Sequence, residues 1–367
     1  MAKPLNEQVV VLTGASSGIG RETAVELGRR GATVVLAARN EESLRDVARE
    51  VEAAGGKALV VPTDVADKAQ VDRLARTAVE HFGRIDTWVN DVGVSQYATV
   101  EDSTPEEIEQ VIQTDLLGVI YGCKAALPVM KRQNQGTIVN VSSVLGRISV
   151  PLQSAYCAAK HGVIGFADSL RMELKREGSR VEVVTVMPGS TNTPFFDHAR
   201  AKLGGKAPMP IPPVYDPSAV AQAIAHVCEC PHRDVVVGLA GKLFILMDRI
   251  HPALIDWLLV TNDTGAKMQT SDRPKAGGDN LTAPVGGVQP ARGAYGDRWW
   301  NLGGSEYTRV FELHPALKYA AVGAAAFAAA GLLGWLAGSP VGRGGRWAGK
   351  PDRAAHPAHE PLPSPAI

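Results

Sequence analysis

Val9-Val10-Val11-Leu12-Thr13-Gly14-Ala15-Ser16-Ser17-Gly18-Ile19-Gly20-Arg21 is the stretch that decides the fold. Its apolar start reads as a short buried strand and residues 21–30 as the following helix, so the glycines fall on the turn between them. There Gly14 allows a tight reversal, Gly18 lets the main chain approach a pyrophosphate, and Gly20 lets helix pack closely on strand. The helix N-terminus adds free N–H groups and the positive end of its dipole. A dinucleotide fits this arrangement, with Thr13, Gly14, Ser16, Ser17, Gly18, Ile19 and Gly20 as candidate contacts.

Working outward, strand-like runs recur at 9–13, 33–38, 58–62, 87–90, 136–142, 181–187 and 234–238, separated by helical patterns. Such alternation predicts an α/β fold: a Rossmann-type, doubly wound parallel sheet of seven strands occupying residues 1–240. Ligands in such sheets bind at the carboxyl ends of the strands, where most of the candidate residues sit.

Composition narrows the partners. The chain has 367 residues, 45% of them hydrophobic, enough for a sizeable core. A formal net charge of zero gives no general attraction to nucleic acid, and no such partner is expected. Cys123, Cys157, Cys228 and Cys230 have neither metal-ligand spacing nor disulfide-scaffold density, so free thiols and no metal site are expected. Residues 1–6 lead almost directly into the first strand without an apolar signal region, which predicts a cytoplasmic catalytic part.

The second half reads differently. Residues 241–262 form short amphipathic segments broken at Pro252, and 263–316, rich in Gly, Pro, Asp, Asn and Thr, read as an irregular linker. Within 317–338, positions 319–338 carry no charge and are long enough for a bilayer, but Ala and Gly dominate, so a membrane anchor and a packed helix both stay open. Residues 339–367 read as a disordered tail.

Ser143, Tyr156 and Lys160, 13 and then 4 residues apart, carry the chemistry. Hydride transfer between nicotinamide and a carbonyl carbon requires the oxygen to gain or lose a proton. A tyrosine of ordinary pKa near 10 is a poor base, and Lys160, one helical turn from Tyr156, would favour its phenolate. Ser143, at a strand end, could stabilise charge on the substrate oxygen. Ser142 is rejected because its spacing to Tyr156 is 14. Arg39 ends the second strand where an acidic residue would select NAD(H), and a guanidinium there suits a 2′-phosphate, so NADP(H) is the expected cofactor.

The T-G-x-x-x-G-x-G turn together with the Ser143, Tyr156 and Lys160 spacing resembles the classical short-chain dehydrogenases/reductases over residues 5–240. The resemblance implies that Ser143 orients the substrate, Tyr156 is the acid/base, and Lys160 also binds nicotinamide ribose hydroxyls. It places Asp115 at a position usually Asn, whose carbonyl holds a proton-relaying water. Asn90-Asp91-Val92-Gly93 stands for the family's N-N-A-G, giving Asn90 and Gly93 an adenine-ribose role, while Asp64 and Val65 fall on the adenine site. Pro188, Gly189, Thr191 and Thr193 match the nicotinamide segment, with Thr193 on the carboxamide. Residues 194–215, with Phe195, Phe196 and Met209, correspond to the variable substrate lid, and their apolar content suggests a hydrophobic alcohol or ketone. A homo-dimer or homo-tetramer is implied, pairing through the helices of Tyr156 and Asp115. Two other readings stay open: a 3-oxoacyl-carrier reductase docking through Arg200, Lys202 and Lys206, and a nucleotide-binding regulator or scaffold, to which Asp115 and Asp91 point.

Overall fold

The computed structural model describes residues 3–296, 302–314, 316–320 and 323. Contacts divide the chain into Met1–Lys318 and Tyr319–Ile367, the second described only at 319, 320 and 323, all helical. The first unit is built on seven parallel strands: β1 (Val9–Thr13), β2 (Thr33–Ala37), β3 (Lys57–Val60), β4 (Thr87–Asn90), β5 (Gly136–Val141), β6 (Val181–Pro188) and β7 (Asp234–Val237). Their spatial order is β7-β6-β5-β4-β1-β2-β3, so strand order reverses between β1 and β4. A crevice opens there, at the carboxyl ends.

Valine-rich strands can be apolar on both sides because helices cover both faces. On one face lie α1 (Gly18–Arg29), α2 (Glu41–Ala53) and α7 (Pro217–Glu229), contributing Leu27, Leu44, Val220 and Ile224. On the other lie α3 (Lys68–Phe82), α5 (Gly118–Gln133) and α6 (Ser154–Arg176), contributing Leu74, Met130, Val163 and Leu170. Each fully buried Val or Leu contributes roughly 1.5–3 kcal/mol, which makes this double-sided burial the main support of the sheet.

Two local devices shape the crevice. Gly14 has φ +76°, and a Cβ built there would lie 1.9 Å from the Asp91 carbonyl oxygen, so the turn can pass against the end of β4 only with glycine. Helix α4 (Pro105–Ile112) starts at a Thr104/Glu107 capping box and runs through a π-helical turn, Gln113–Leu117, into α5. That extra-wide turn carries Asp115, and such turns gather at functional sites.

From β7 to Lys318 the chain belongs to the first unit. Helices α8 (Leu239–Ile250) and α9 (Pro252–Val260) flank the crevice. Much of 263–316, which reads as linker by composition, is docked: Thr270–Pro274 pairs antiparallel with Lys206–Pro208, and Gly238 N–H donates to Thr308 Oγ1 at 3.0 Å beside the end of β7. This order rests on backbone pairing and single buried anchors such as Leu281 and Tyr295, which leave no periodic pattern. Most of 319–338 and all of 339–367 lie outside the described residues, and among the described residues no helix is long and apolar enough to cross a membrane.

Candidate active site

A cavity of about 490 Å³ fills the crevice, within the range of small-molecule sites. Its wall is built strand end by strand end: Gly14, Ser16, Ser17, Gly18, Ile19 and Gly20 after β1, Arg39 after β2, Asp64 and Val65 after β3, and Asp91 to Gly93 after β4. Ser143 follows β5, Pro188, Gly189, Thr191 and Thr193 come from the end of β6 and the loop after it, and α6 presents Tyr156 and Lys160. The fold thus gathers most of the residues singled out in the sequence around one space.

Three of them stand back from it. The Thr13 hydroxyl donates to the Val89 carbonyl at 3.2 Å and ties β1 to β4. Asn90 is locked in the sheet interior, accepting from Trp88 Nε1 and donating to Asn140 Oδ1, both at 2.8 Å. Its amide therefore holds strands together, and Gly93 carries that strand end to the cavity. Asp115 lies fully buried behind the wall.

Around Lys160 the polar groups are tightly arranged. Its Nζ donates to the Val92 carbonyl at 3.1 Å and the Val141 carbonyl at 3.4 Å, sits 3.5 Å from Asp115 Oδ2, and lies 5.5 Å from the Tyr156 ring centre. Asp115 Oδ1 accepts the Val94 N–H at 2.8 Å, while Oδ2 has no hydrogen-bond partner among the described residues. Burial pushes the Asp115 carboxyl up to about 6 against the opposing pull of Lys160 and the Val94 N–H, and burial pushes Asp91 up to about 8.

Tyr156 departs from the expectation that Lys160 lowers its pKa. Burial raises the phenol well above its ordinary value, the Asp115 charge adds to this, and hydrogen bonding with Ser143 opposes it. The lysine charge is already met by a carboxylate, so desolvation decides the direction and the phenol is held protonated. Ser143 Oγ accepts the Leu145 N–H at 3.0 Å, which leaves its proton to donate, whereas Ser142 gives its hydroxyl to the Lys160 carbonyl at 2.9 Å.

Other parts of the wall carry no sequence motif. Gln153 is buried and donates to Gln269 Oε1 at 2.6 Å, a contact that joins the start of α6 to the extension. Leu152, just before it, takes φ +69°, a strained conformation for a bulky residue, of the kind found near functional sites. Phe195, whose ring centre lies 5.6 Å from that of Tyr156, closes the apolar side with Phe244, Ile255 and Leu258 of α8 and α9. Only the apolar pattern of 241–262 hinted at those helices, and it did not say what they face.

A parallel sheet that reverses order beside a glycine turn, with a Ser-Tyr-Lys group in the same cavity, defines a Rossmann-type dinucleotide-binding protein. Residues 8–204 match the short chain dehydrogenase family, and the chain belongs to it, as an oxidoreductase. An uncharacterized oxidoreductase YxnA of Bacillus subtilis is 39% identical over 258 residues, 70% of this chain and 72% of that protein. Among solved structures, a metagenomic short-chain oxidoreductase in complex with NADP is 31% identical with a TM-score of 0.54, covering 64% of this chain and 97% of its own. An alcohol dehydrogenase from Thermococcus sibiricus, complexed with 5-hydroxy-NADP, is 25% identical with a TM-score of 0.55, covering 63% and 95%.

Proposed function

We propose that the protein is an NADP(H)-dependent oxidoreductase that interconverts a hydroxyl and a carbonyl group on a hydrophobic substrate, with Tyr156 as acid and base. The observation that carries this reading is the common cavity: Ser143, Tyr156 and Lys160 line the same space as the glycine turn and Arg39. The residues fit a dinucleotide. The α1 N-terminus faces the cavity through Gly18 to Gly20, and Arg39 stands at the end of β2 with no acidic residue in the 33–38 run. That two similar structures hold NADP or 5-hydroxy-NADP supports the choice of cofactor.

When bound, the cofactor supplies or accepts the hydride. For reduction, the Tyr156 phenol, kept protonated by burial, gives its proton to the carbonyl oxygen as negative charge develops there. The Ser143 hydroxyl, on the same wall, donates a second hydrogen bond to that oxygen. Lys160 and Asp115 then form the route for returning a proton to the phenolate, their charges balanced across 3.5 Å. In oxidation the same groups run in reverse.

Phe195, Phe196, Met209, Phe244, Ile255 and Leu258 give the cavity an apolar wall that suits a hydrophobic alcohol or ketone. The carrier-bound reading loses its support. Arg200 pairs with Glu107 and Asp279, Lys202 with Glu107, and Lys206 with Asp272, so the basic residues that would dock an acidic carrier are matched by acids of this chain. The reading is tested by following NADPH and NADH oxidation across a series of ketones of increasing apolar size. Turnover with NADPH that improves with apolar size is the expected result, and tight NADPH binding without turnover on any member would favour a nucleotide-binding regulator.

A further inference from the structure

Residues 279–293 cross the mouth of the dinucleotide cavity as a strap. One end is anchored by Leu281, fully buried beside Val94, Val111 and Ala159, and by the Asp279 carboxylate, which accepts from Arg200 at 3.0 and 3.1 Å. At the other end, Gly293 N–H donates to the Asn192 carbonyl at 3.2 Å, and a Cβ at Gly293 would lie 2.4 Å from the Thr193 carbonyl oxygen. Between the anchors the strap lies on the cofactor motifs themselves. Asn280 O accepts from Arg39 Nη2 at 2.5 Å, Val285 O and Gly287 O accept from Asn40 Nδ2 at 2.8 Å each, and Pro290 O accepts the Gly18 N–H at 3.1 Å.

A segment on these donors could plug the groove or roof it. With the strap in place the cavity measures about 490 Å³, and Asn280, Pro284, Val285 and Gln289 form part of its wall together with the glycine turn. The strap meets Arg39 through one nitrogen of the guanidinium, which has further N–H groups for an anion. Its contacts to Arg39, Asn40 and Gly18 are made by backbone carbonyls, which do not bind a phosphate, so its contribution to binding is enclosure: water is excluded, and charge pairing inside strengthens.

We propose that this strap, from outside the matched family region, is the outer wall of the cofactor site: it folds over the adenosine half of bound NADP(H) and sets the rate at which cofactor exchanges. The proposal rests on the dinucleotide reading above and concerns what holds the cofactor in place. The anchors Leu281 and Asp279 lie at one end, so freeing that end opens the roof; Tyr156 packs against the cluster that holds Leu281, and Asp279→Ala, which keeps Leu281, is the variant that leaves that packing in place.

The test uses the full chain. NADPH release is followed by stopped-flow fluorescence on chasing with excess NADP, for wild type, Asp279→Ala and Leu281→Asp, alongside hydrogen exchange of 279–293 in the wild type with and without NADPH. The expected results are release at least about tenfold faster in both variants, with weaker binding, and slower exchange in the strap when NADPH is present. Release that is unchanged or slower, tighter binding in the variants, or strap exchange that speeds up on adding NADPH would overturn the proposal. The wild-type exchange decides the matter even if a variant fails to fold. Absence of any NADPH or NADH binding, in wild type and variants alike, would instead remove the dinucleotide reading, and the strap's role with it.

Discussion

Asp115 brings a second buried charge to within 3.5 Å of Lys160, and that proximity makes the proton balance of the site sensitive to pH. Its folded-state carboxyl, raised to about 6 by burial, binds a proton more tightly than the unfolded chain does at the ordinary value of 3.8. Stability attached to this group is therefore complete below the unfolded value and declines as pH rises through about 6. Asp115→Asn keeps an acceptor for the Val94 N–H and removes the ionisation. The variant is expected to retain turnover, to lose any inflection near pH 6 in kcat/KM, and to gain thermal midpoint relative to wild type as pH rises from about 4 to about 7. Paired pH–rate and thermal melting series measure both, and complete loss of turnover would contradict a role shared with asparagine. At this scale the spacing of Ser143, Tyr156 and Lys160 in the sequence already groups three residues that line one cavity. The direction of the Tyr156 shift was not legible, because burial depends on Phe195 and other walls that spacing does not encode.

Two elements position those residues, and each makes a separate prediction. The turn after β1 places Gly14 at φ +76° against the Asp91 carbonyl. An alanine there pays about 1–2 kcal/mol for the left-handed backbone alone, and the 1.9 Å contact must also be relieved. Gly14→Ala should therefore lower the denaturant midpoint by more than that alone and abolish cofactor binding, read by chemical unfolding and NADPH titration. The end of β2 sets cofactor choice. Arg39→Asp is expected to weaken NADPH about 10- to 100-fold while NADH binding weakens far less, and equal loss of both would point to the lost Asn280 contact instead. The seven strands were readable because each is a short apolar run, and their bounds fall within about two residues of the expectation. The π-helical turn at Gln113–Leu117 was not, since nothing in Gln-Thr-Asp-Leu-Leu distinguishes it from ordinary helix.

At the scale of the molecule, the family region accounts for six of the seven strands and the reactive group, and the extension accounts for much of the enclosure. Composition pointed to a linker over 263–316 because it is rich in Gly, Pro, Asp, Asn and Thr with little periodicity. The structure holds it by carbonyls on Arg39, Asn40 and Gly18, a form of order that needs partners far away in sequence. Assembly is the other property of this scale. The outer face of α6 leaves Gly165 with open space around it and Met172 exposed, a surface suited to a second copy of the same helix. A homo-oligomer is expected by light scattering of the wild type, and Met172→Glu with Gly165→Glu should shift it towards monomer. An unchanged mass would place the contact elsewhere.

The central claim is that Tyr156 moves the proton that accompanies hydride transfer. Single-turnover oxidation of NADPH by an apolar ketone, compared between wild type and Tyr156→Phe at matched cofactor occupancy, tests it most directly. The account predicts unchanged NADPH affinity and a rate about 10²–10⁴-fold lower in the variant; a Tyr156→Phe enzyme that turns over at the wild-type rate would contradict it.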